Sequence, residues 1–158
     1  MSDHTLSTPV LENCENLTIG IAFTLWNEEI VSMLKNSAEE YFASCGITNI
    51  VSVEAMGAWE LVQASKKLQK SCDGVLALGT VIRGDTYHFE LIANSASYGL
   101  MELNVSSDTP VTMGILTTES KAQAEERANP SKLNKGKELA FTLLHTICLL
   151  YTSPSPRD

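Results

Sequence analysis

A three-layer α/β/α sandwich around a four-stranded parallel sheet is the fold class this sequence predicts, and three observations carry it. Four short apolar runs bounded by turn residues read as strands buried on both faces. Segments with apolar residues at three- and four-residue spacing alternate with them, as helices covering a sheet do. The spacing of strand, helix and next strand fits right-handed crossovers, which make neighbouring strands parallel and place helices on both faces.

The first strand is read at residues 17–23 (LTIGIAF) and runs into a helix opened by Asn27, Glu28 and Glu29. Ile30, Met33, Leu34, Ala38, Tyr41 and Phe42 form its apolar stripe, the two acids suit the positive end of the helix dipole, and Gly46 is placed to end it. Residues 47–53 read as the second strand, 58–68 as a helix with Lys on its outer face, and 74–81 as the third strand. Phe89, Ile92, Ala93, Ala96, Leu100 and Leu103 give the next helix its stripe. Residues 110–116 (PVTMGIL) supply the fourth strand, Ser120 caps a short helix through Ala128, and Asn129-Pro130 breaks it. A last helix begins near Asn134.

No repeat on the order of 20 to 50 residues and no internal linker interrupts this order. One domain is therefore expected at residues 17–147, behind a polar arm at 1–16 that is free or pairs with a neighbouring subunit. Residues 148–158 (CLLYTSPSPRD) read differently from the rest, with Pro and Ser/Thr packed behind a helical pattern. They match one reading frame of a sequencing-library adapter and are expected to be a non-native tail or, failing that, a disordered one, so they are set apart from fold reasoning.

With 158 residues and 44% hydrophobic content the chain can bury a core. A net charge of −8 and a pI near 4.8 argue against nucleic acid and anionic membranes as partners, because both need clustered Lys and Arg. Any anionic ligand has to be held locally. The N-terminus lacks a basic segment followed by an apolar core, and no apolar run approaches the roughly 18 residues of a membrane helix, so a cytoplasmic location is expected. Cys14, Cys45, Cys72 and Cys148 form no C-x-x-C pair and are irregularly spaced, which favours reduced thiols over a zinc site or disulfide framework. With only His4, His88 and His145 and no H-E-x-x-H, no metal site is expected.

In a parallel sheet the strand-to-helix connections share one edge, and open α/β sheets bind ligands there. After the first strand come Leu25, Trp26, Asn27 and Glu28; after the second, Met56, Gly57, Ala58, Trp59 and Glu60; after the fourth, Thr117, Thr118 and Glu119. The most informative connection follows the third strand, in GTVIRGDTYHFELIAN at residues 79–94. Backbone N–H groups at a helix start favour anions and Gly84 admits a ligand to the main chain, so a phosphate-bearing substrate is expected. Imidazole as a group suits proton transfer near neutral pH, which makes His88 the candidate for it, although a lone His is more often structural.

LWNE, GAWE, LGTVIRGDTYHF, GILTT, ERA and NKG, in that order and spacing, resemble the 6,7-dimethyl-8-ribityllumazine synthase family over roughly residues 17–147. The resemblance implies a flavodoxin-like fold. It also implies condensation of 5-amino-6-(D-ribitylamino)uracil with 3,4-dihydroxy-2-butanone 4-phosphate, with no metal or organic cofactor and with sites shared between adjacent subunits of a pentamer or a multiple of it. The related archaeal-type riboflavin synthase, and a non-catalytic lumazine- or flavin-binding or shell protein on the same scaffold, are the competing readings.

The same resemblance implies the residue roles. Trp26 stacks on the pyrimidine, against the plain alternative of a core Trp; Asn27 hydrogen-bonds the substrate, or caps a helix, or both. Glu60 accepts from ribityl hydroxyls, its alternative being an ordinary acid in a first helical turn. Gly57 and Ala58 keep the backbone accessible, and Trp59 and Val81 line the same wall. Gly84, Asp85 and Thr86 hold the phosphate, with an empty capping turn as the alternative, and His88 moves protons. Arg127 reaches the phosphate from the adjacent subunit, or is simply a cation at a helix end. Lys135 lies near the same shared site, or is solvated. Arg83 serves the fold or subunit contacts. Met113 stands where the family places a Phe over the pyrimidine, which softens that wall. Residues 129–133 lack the family's usual Gly-Thr-Lys-x-Gly, a departure that bears on higher assembly.

Overall fold

The computed structural model describes residues 6–151. Along the chain come β1 (Thr18–Thr24), α1 (Glu28–Ser44), β2 (Asn49–Ala55), α2 (Leu61–Gln69), β3 (Gly74–Ile82), α3 (His88–Ser106), β4 (Val111–Thr118), α4 (Lys121–Ala128) and α5 (Lys135–Tyr151). The strands form one parallel sheet in the order β2-β1-β3-β4. α1, α4 and α5 cover one face and α2 and α3 the other, which is the expected three-layer, flavodoxin-like arrangement. Strand alternation divides the core between the two faces: Leu76 and Leu78 of β3 join the α1/α5 side, Val75 and Ala77 the α2/α3 side.

Glycine decides how closely two helices approach. A Cβ on Gly136 would lie 2.3 Å from the Leu34 carbonyl oxygen, so the start of α5 rests directly on the α1 backbone. A Cβ on Gly74 would lie 2.5 Å from Ile147 Cδ1, so the far part of α5 seats on the start of β3.

The second strand begins two residues later than its apolar run suggests. Gly46 takes φ +82° and its N–H donates to the Ala43 carbonyl, while the Ile47 N–H donates back to the Phe42 carbonyl, each at 3.0 Å. This closes α1 in a Schellman motif, in which Ile47 is a buried anchor rather than the first strand residue. Residues 58–60 likewise form a turn ahead of α2, and β4 runs on to Thr118. Ser120 caps α4 as expected, its Oγ accepting from the Gln123 N–H at 3.2 Å.

α5 continues to Tyr151, across the boundary expected at residue 148, and the Tyr151 hydroxyl donates to Asp73 Oδ1 at 3.2 Å. Residues 152–158 of that tail and residues 1–5 of the arm lie outside the described residues. The described part of the arm is tied to α1, where the Tyr41 hydroxyl donates to the Pro9 carbonyl at 2.7 Å, and its Cys14 is buried. No described helix is long and apolar enough to cross a membrane.

Candidate active site

β1 and β3 are neighbours in the sheet, yet α1 leaves β1 toward one face and α3 leaves β3 toward the other. Parallel strands whose helices part in this way open a crevice at their carboxyl ends. A cleft of about 470 Å³ occupies it. Its walls include Trp26, Asn27, Gly57, Ala58, Trp59, Glu60, Val81 and His88, which the sequence singles out from three separate connections. Thr80, Ile82 and Ile92 also line it. The sequence gives no local sign of those three, because they read as ordinary strand and helix-stripe residues. A smaller hollow of about 190 Å³ lies between α1 and the β1 and β2 strands and is lined by Glu28, Lys35 and Glu54 among others; it holds neither Trp.

The first two connections are joined by main-chain bonds that prolong the β1–β2 pairing past the strand ends. The Leu25 N–H donates to the Ala55 carbonyl at 2.8 Å and the Trp26 N–H to the Met56 carbonyl at 3.1 Å. Trp26 and Trp59 are 66% and 58% exposed, so neither is a core residue and both offer an aromatic face to the cleft. Gly57 sits between Trp26 and Glu60: a Cβ there would come within 3.7 Å of the Trp26 ring and 3.5 Å of the Glu60 carboxylate. That carboxylate accepts from the Gly57 N–H at 3.1 Å, which orients Glu60 at the head of α2.

Asn27 has φ +60° and its side chain does not cap α1. Instead its Nδ2 donates to the Thr80 carbonyl at 3.1 Å, crossing from the β1 connection to β3. The side-chain cap expected of an Asn at a helix start is thus replaced by a long-range bond, because the left-handed backbone turns the amide toward β3. The amide oxygen accepts no hydrogen bond among the described residues.

The third connection forms the rim of the cleft beside His88, the first residue of α3. The His88 N–H donates to Thr86 Oγ1 at 3.4 Å, which ties the preceding turn to the helix start. Gly84, Asp85 and Thr86 are exposed, and a Cβ on Gly84 would meet nothing within 4 Å. Open space over a run of backbone N–H groups is what an incoming anion requires.

Arg83 closes the turn from the other side. Its N–H donates to the Thr118 carbonyl at 2.9 Å, its Nε to Glu119 Oε2 at 2.6 Å, and its Nη1 to Glu90 Oε1, while the guanidinium lies 4.3 Å from the centre of the Phe89 ring. The Glu90 and Glu119 hydrogen bonds raise the Arg83 pKa, and the bond from Arg83 lowers that of Glu90.

Met113, Arg127 and Lys135 do not line this cleft. Met113 is 45% exposed on β4. Arg127 lies in the last turn of α4, where its Nη1 donates to the Gln123 carbonyl at 3.1 Å. Lys135 is buried rather than solvated and donates to both oxygens of Glu138, at 3.0 and 3.1 Å.

Residues 16–151 match the family model described as 6,7-dimethyl-8-ribityllumazine synthase. Among curated proteins, the 6,7-dimethyl-8-ribityllumazine synthase of Porphyromonas gingivalis is 42% identical over 82% of this chain and 83% of its own length. The protein of that name from Bdellovibrio bacteriovorus is 37% identical over 88% of this chain and 78% of its own. That of Thermus thermophilus is 36% identical over 95% and 97%.

Proposed function

The chain belongs to the 6,7-dimethyl-8-ribityllumazine synthase family, and on that premise we propose how its site is divided between two substrates. The reaction is the condensation of 5-amino-6-(D-ribitylamino)uracil with 3,4-dihydroxy-2-butanone 4-phosphate to 6,7-dimethyl-8-ribityllumazine, with release of phosphate and water, a step of riboflavin biosynthesis. The observation that carries the division is a cleft uniting Trp26, Asn27, Glu60 and His88 beside an open anion turn.

On this reading the pyrimidine stacks on Trp26, with Trp59 and Val81 as flanking walls. The Asn27 amide oxygen accepts from the ring. Glu60, an acceptor-only group when ionised, takes the ribityl hydroxyls, and Gly57 and Ala58 leave the main chain within reach. The phosphate is held by the N–H groups of residues 84–86 and the Thr86 hydroxyl at the start of α3. His88 stands between the two substrates and moves protons as the imine forms, phosphate leaves, the adduct tautomerises and the ring closes with loss of water. Most of the acceleration comes from holding two reactants in contact.

Met113 and Arg127 are assigned to the site of a neighbouring copy, in a pentamer or a multiple of it, whereas Lys135, buried in its own chain and held by Glu138, is not. Their position away from this chain's cleft supports that reading. So does α3, whose outward stripe of Leu91, Tyr98, Met101 and Val105 is 53%, 81%, 59% and 74% exposed, an apolar face that a lone chain leaves in water. Arg127 then supplies a guanidinium to the phosphate. The reaction is assigned to the cytoplasm, in keeping with cysteines whose irregular spacing suits reduced thiols.

Steady-state kinetics of two variants test the division. His88→Ala slows turnover by about a hundredfold, the low end of what a general acid–base contributes, and leaves it above background. Arg127→Ala raises KM for the phosphate substrate and leaves KM for the pyrimidine near its original value. An equal collapse of every parameter in both variants contradicts the assignment.

A further inference from the structure

Arg83 immediately precedes the anion turn, yet its side chain is committed elsewhere. Nε holds Glu119 at 2.6 Å in the β4–α4 connection, Nη1 holds Glu90 in the first turn of α3, and the planar group packs on Phe89. Its own N–H, bonded to Thr118 at 2.9 Å, carries the β3–β4 pairing one residue past the strand. One guanidinium thus ties together three segments: the turn, the helix start that bears His88, and the connection that precedes α4. A planar fork can do this and a point charge cannot.

We propose that Arg83 is the positioning residue of the anion turn, fixing residues 84–88 through simultaneous hold of Glu90 and Glu119 before any substrate arrives. The proposal rests on the assignment of residues 84–86 to phosphate. Arg83 is assigned to the turn rather than to the phosphate, because two carboxylates hold its Nε and Nη1 and its planar group packs on Phe89. It acts on affinity by holding the turn's N–H groups in one arrangement, so that less freedom is lost on binding.

The clamp includes two carboxylates beside an anion site, and this separates positioning from charge. If Glu119 mattered only by its charge, Glu119→Gln would remove a repulsion and tighten phosphate binding. If Glu119 anchors Arg83, the same substitution exchanges a charge-assisted bond for a weaker neutral one, loosens the turn and weakens phosphate binding. The two accounts differ in sign.

The test uses the purified full-length chain, varies each substrate in turn, and adds inorganic phosphate as a competitive probe of the turn. Glu119 is 63% exposed, so its replacement leaves the core untouched. The expected result for Glu119→Gln is a rise of about two- to fivefold in KM for the phosphate substrate and in the inhibition constant of inorganic phosphate, with KM for the pyrimidine unmoved. Arg83→Met gives a larger rise in the same two constants, and Arg83→Lys restores only part of it. Unchanged or tighter phosphate binding in Glu119→Gln, or full rescue by Arg83→Lys, overturns the positioning role alone. Failure of inorganic phosphate to compete in the unsubstituted chain overturns the phosphate assignment and this proposal with it.

Discussion

Asn27 sits in a left-handed backbone conformation that costs most residues roughly 1–2 kcal/mol, and it spends its amide nitrogen on a carbonyl 53 residues away. Asn27→Gly removes the amide but keeps the backbone cheap, whereas Asn27→Ala adds the conformational cost. Alanine is therefore expected to be less stable than glycine here by about 1 kcal/mol in denaturant melts, while both raise KM for the pyrimidine alike. The sequence marks Asn27 as a helix-start residue with a substrate role. Its partner Thr80 is invisible there, since nothing local joins the β1 connection to β3. Cys14 carries a pH dependence. Burial first, with the neighbouring Cys148 and Cys45 thiols, pushes its thiol up to about 11. A neutral thiol favoured by the fold contributes stability fully present below the ordinary value of 9.0 and lost as pH rises toward about 11. Alkaline melts should show a smaller loss in Cys14→Ser than in the native chain, the remainder coming from Cys72, Tyr41 and Tyr151, whose pKa values burial also raises. Cys14 should also resist alkylation at pH 8 until the chain unfolds.

Elements were legible wherever the pattern is local. The strand-helix order, the acids opening α1, the Gly46 stop and the Ser120 cap all follow from neighbouring residues, and all appear in the fold. The start of β2 did not, because Ile47 has the composition of a strand residue while its N–H serves the end of α1. Close approach between elements was equally hidden. Gly136 belongs to the NKG motif, which suggests a site, yet its missing side chain is what lets α5 rest on Leu34. Gly136→Ala must push α5 from α1 and should destabilise the chain by about 1–3 kcal/mol. The urea midpoint should fall with an unchanged slope.

At the scale of the molecule, the sheet order brings three connections far apart in sequence to a single cleft, while α3 presents an apolar stripe to solvent. The cleft residues were readable because a parallel sheet gathers its strand-to-helix connections at one edge. Residues assigned to a neighbour, such as Arg127, were readable only through family resemblance, since no pattern within one chain says which copy a side chain serves. Tyr98→Lys places a charge in the middle of the exposed stripe without touching either core. Light scattering should show the unsubstituted chain as a pentamer or a multiple of it and the variant as smaller species, with activity falling in parallel, as the proposal that Arg127 serves a neighbour's site requires. This cleft is proposed to condense two substrates and expel phosphate. The most direct test supplies both substrates to the purified chain and follows the lumazine chromophore and inorganic phosphate together. Equal amounts of the two products, formed at the same rate and only when both substrates are present, are predicted. Conversion of lumazine to riboflavin without phosphate release, or ligand binding with no product, would contradict it.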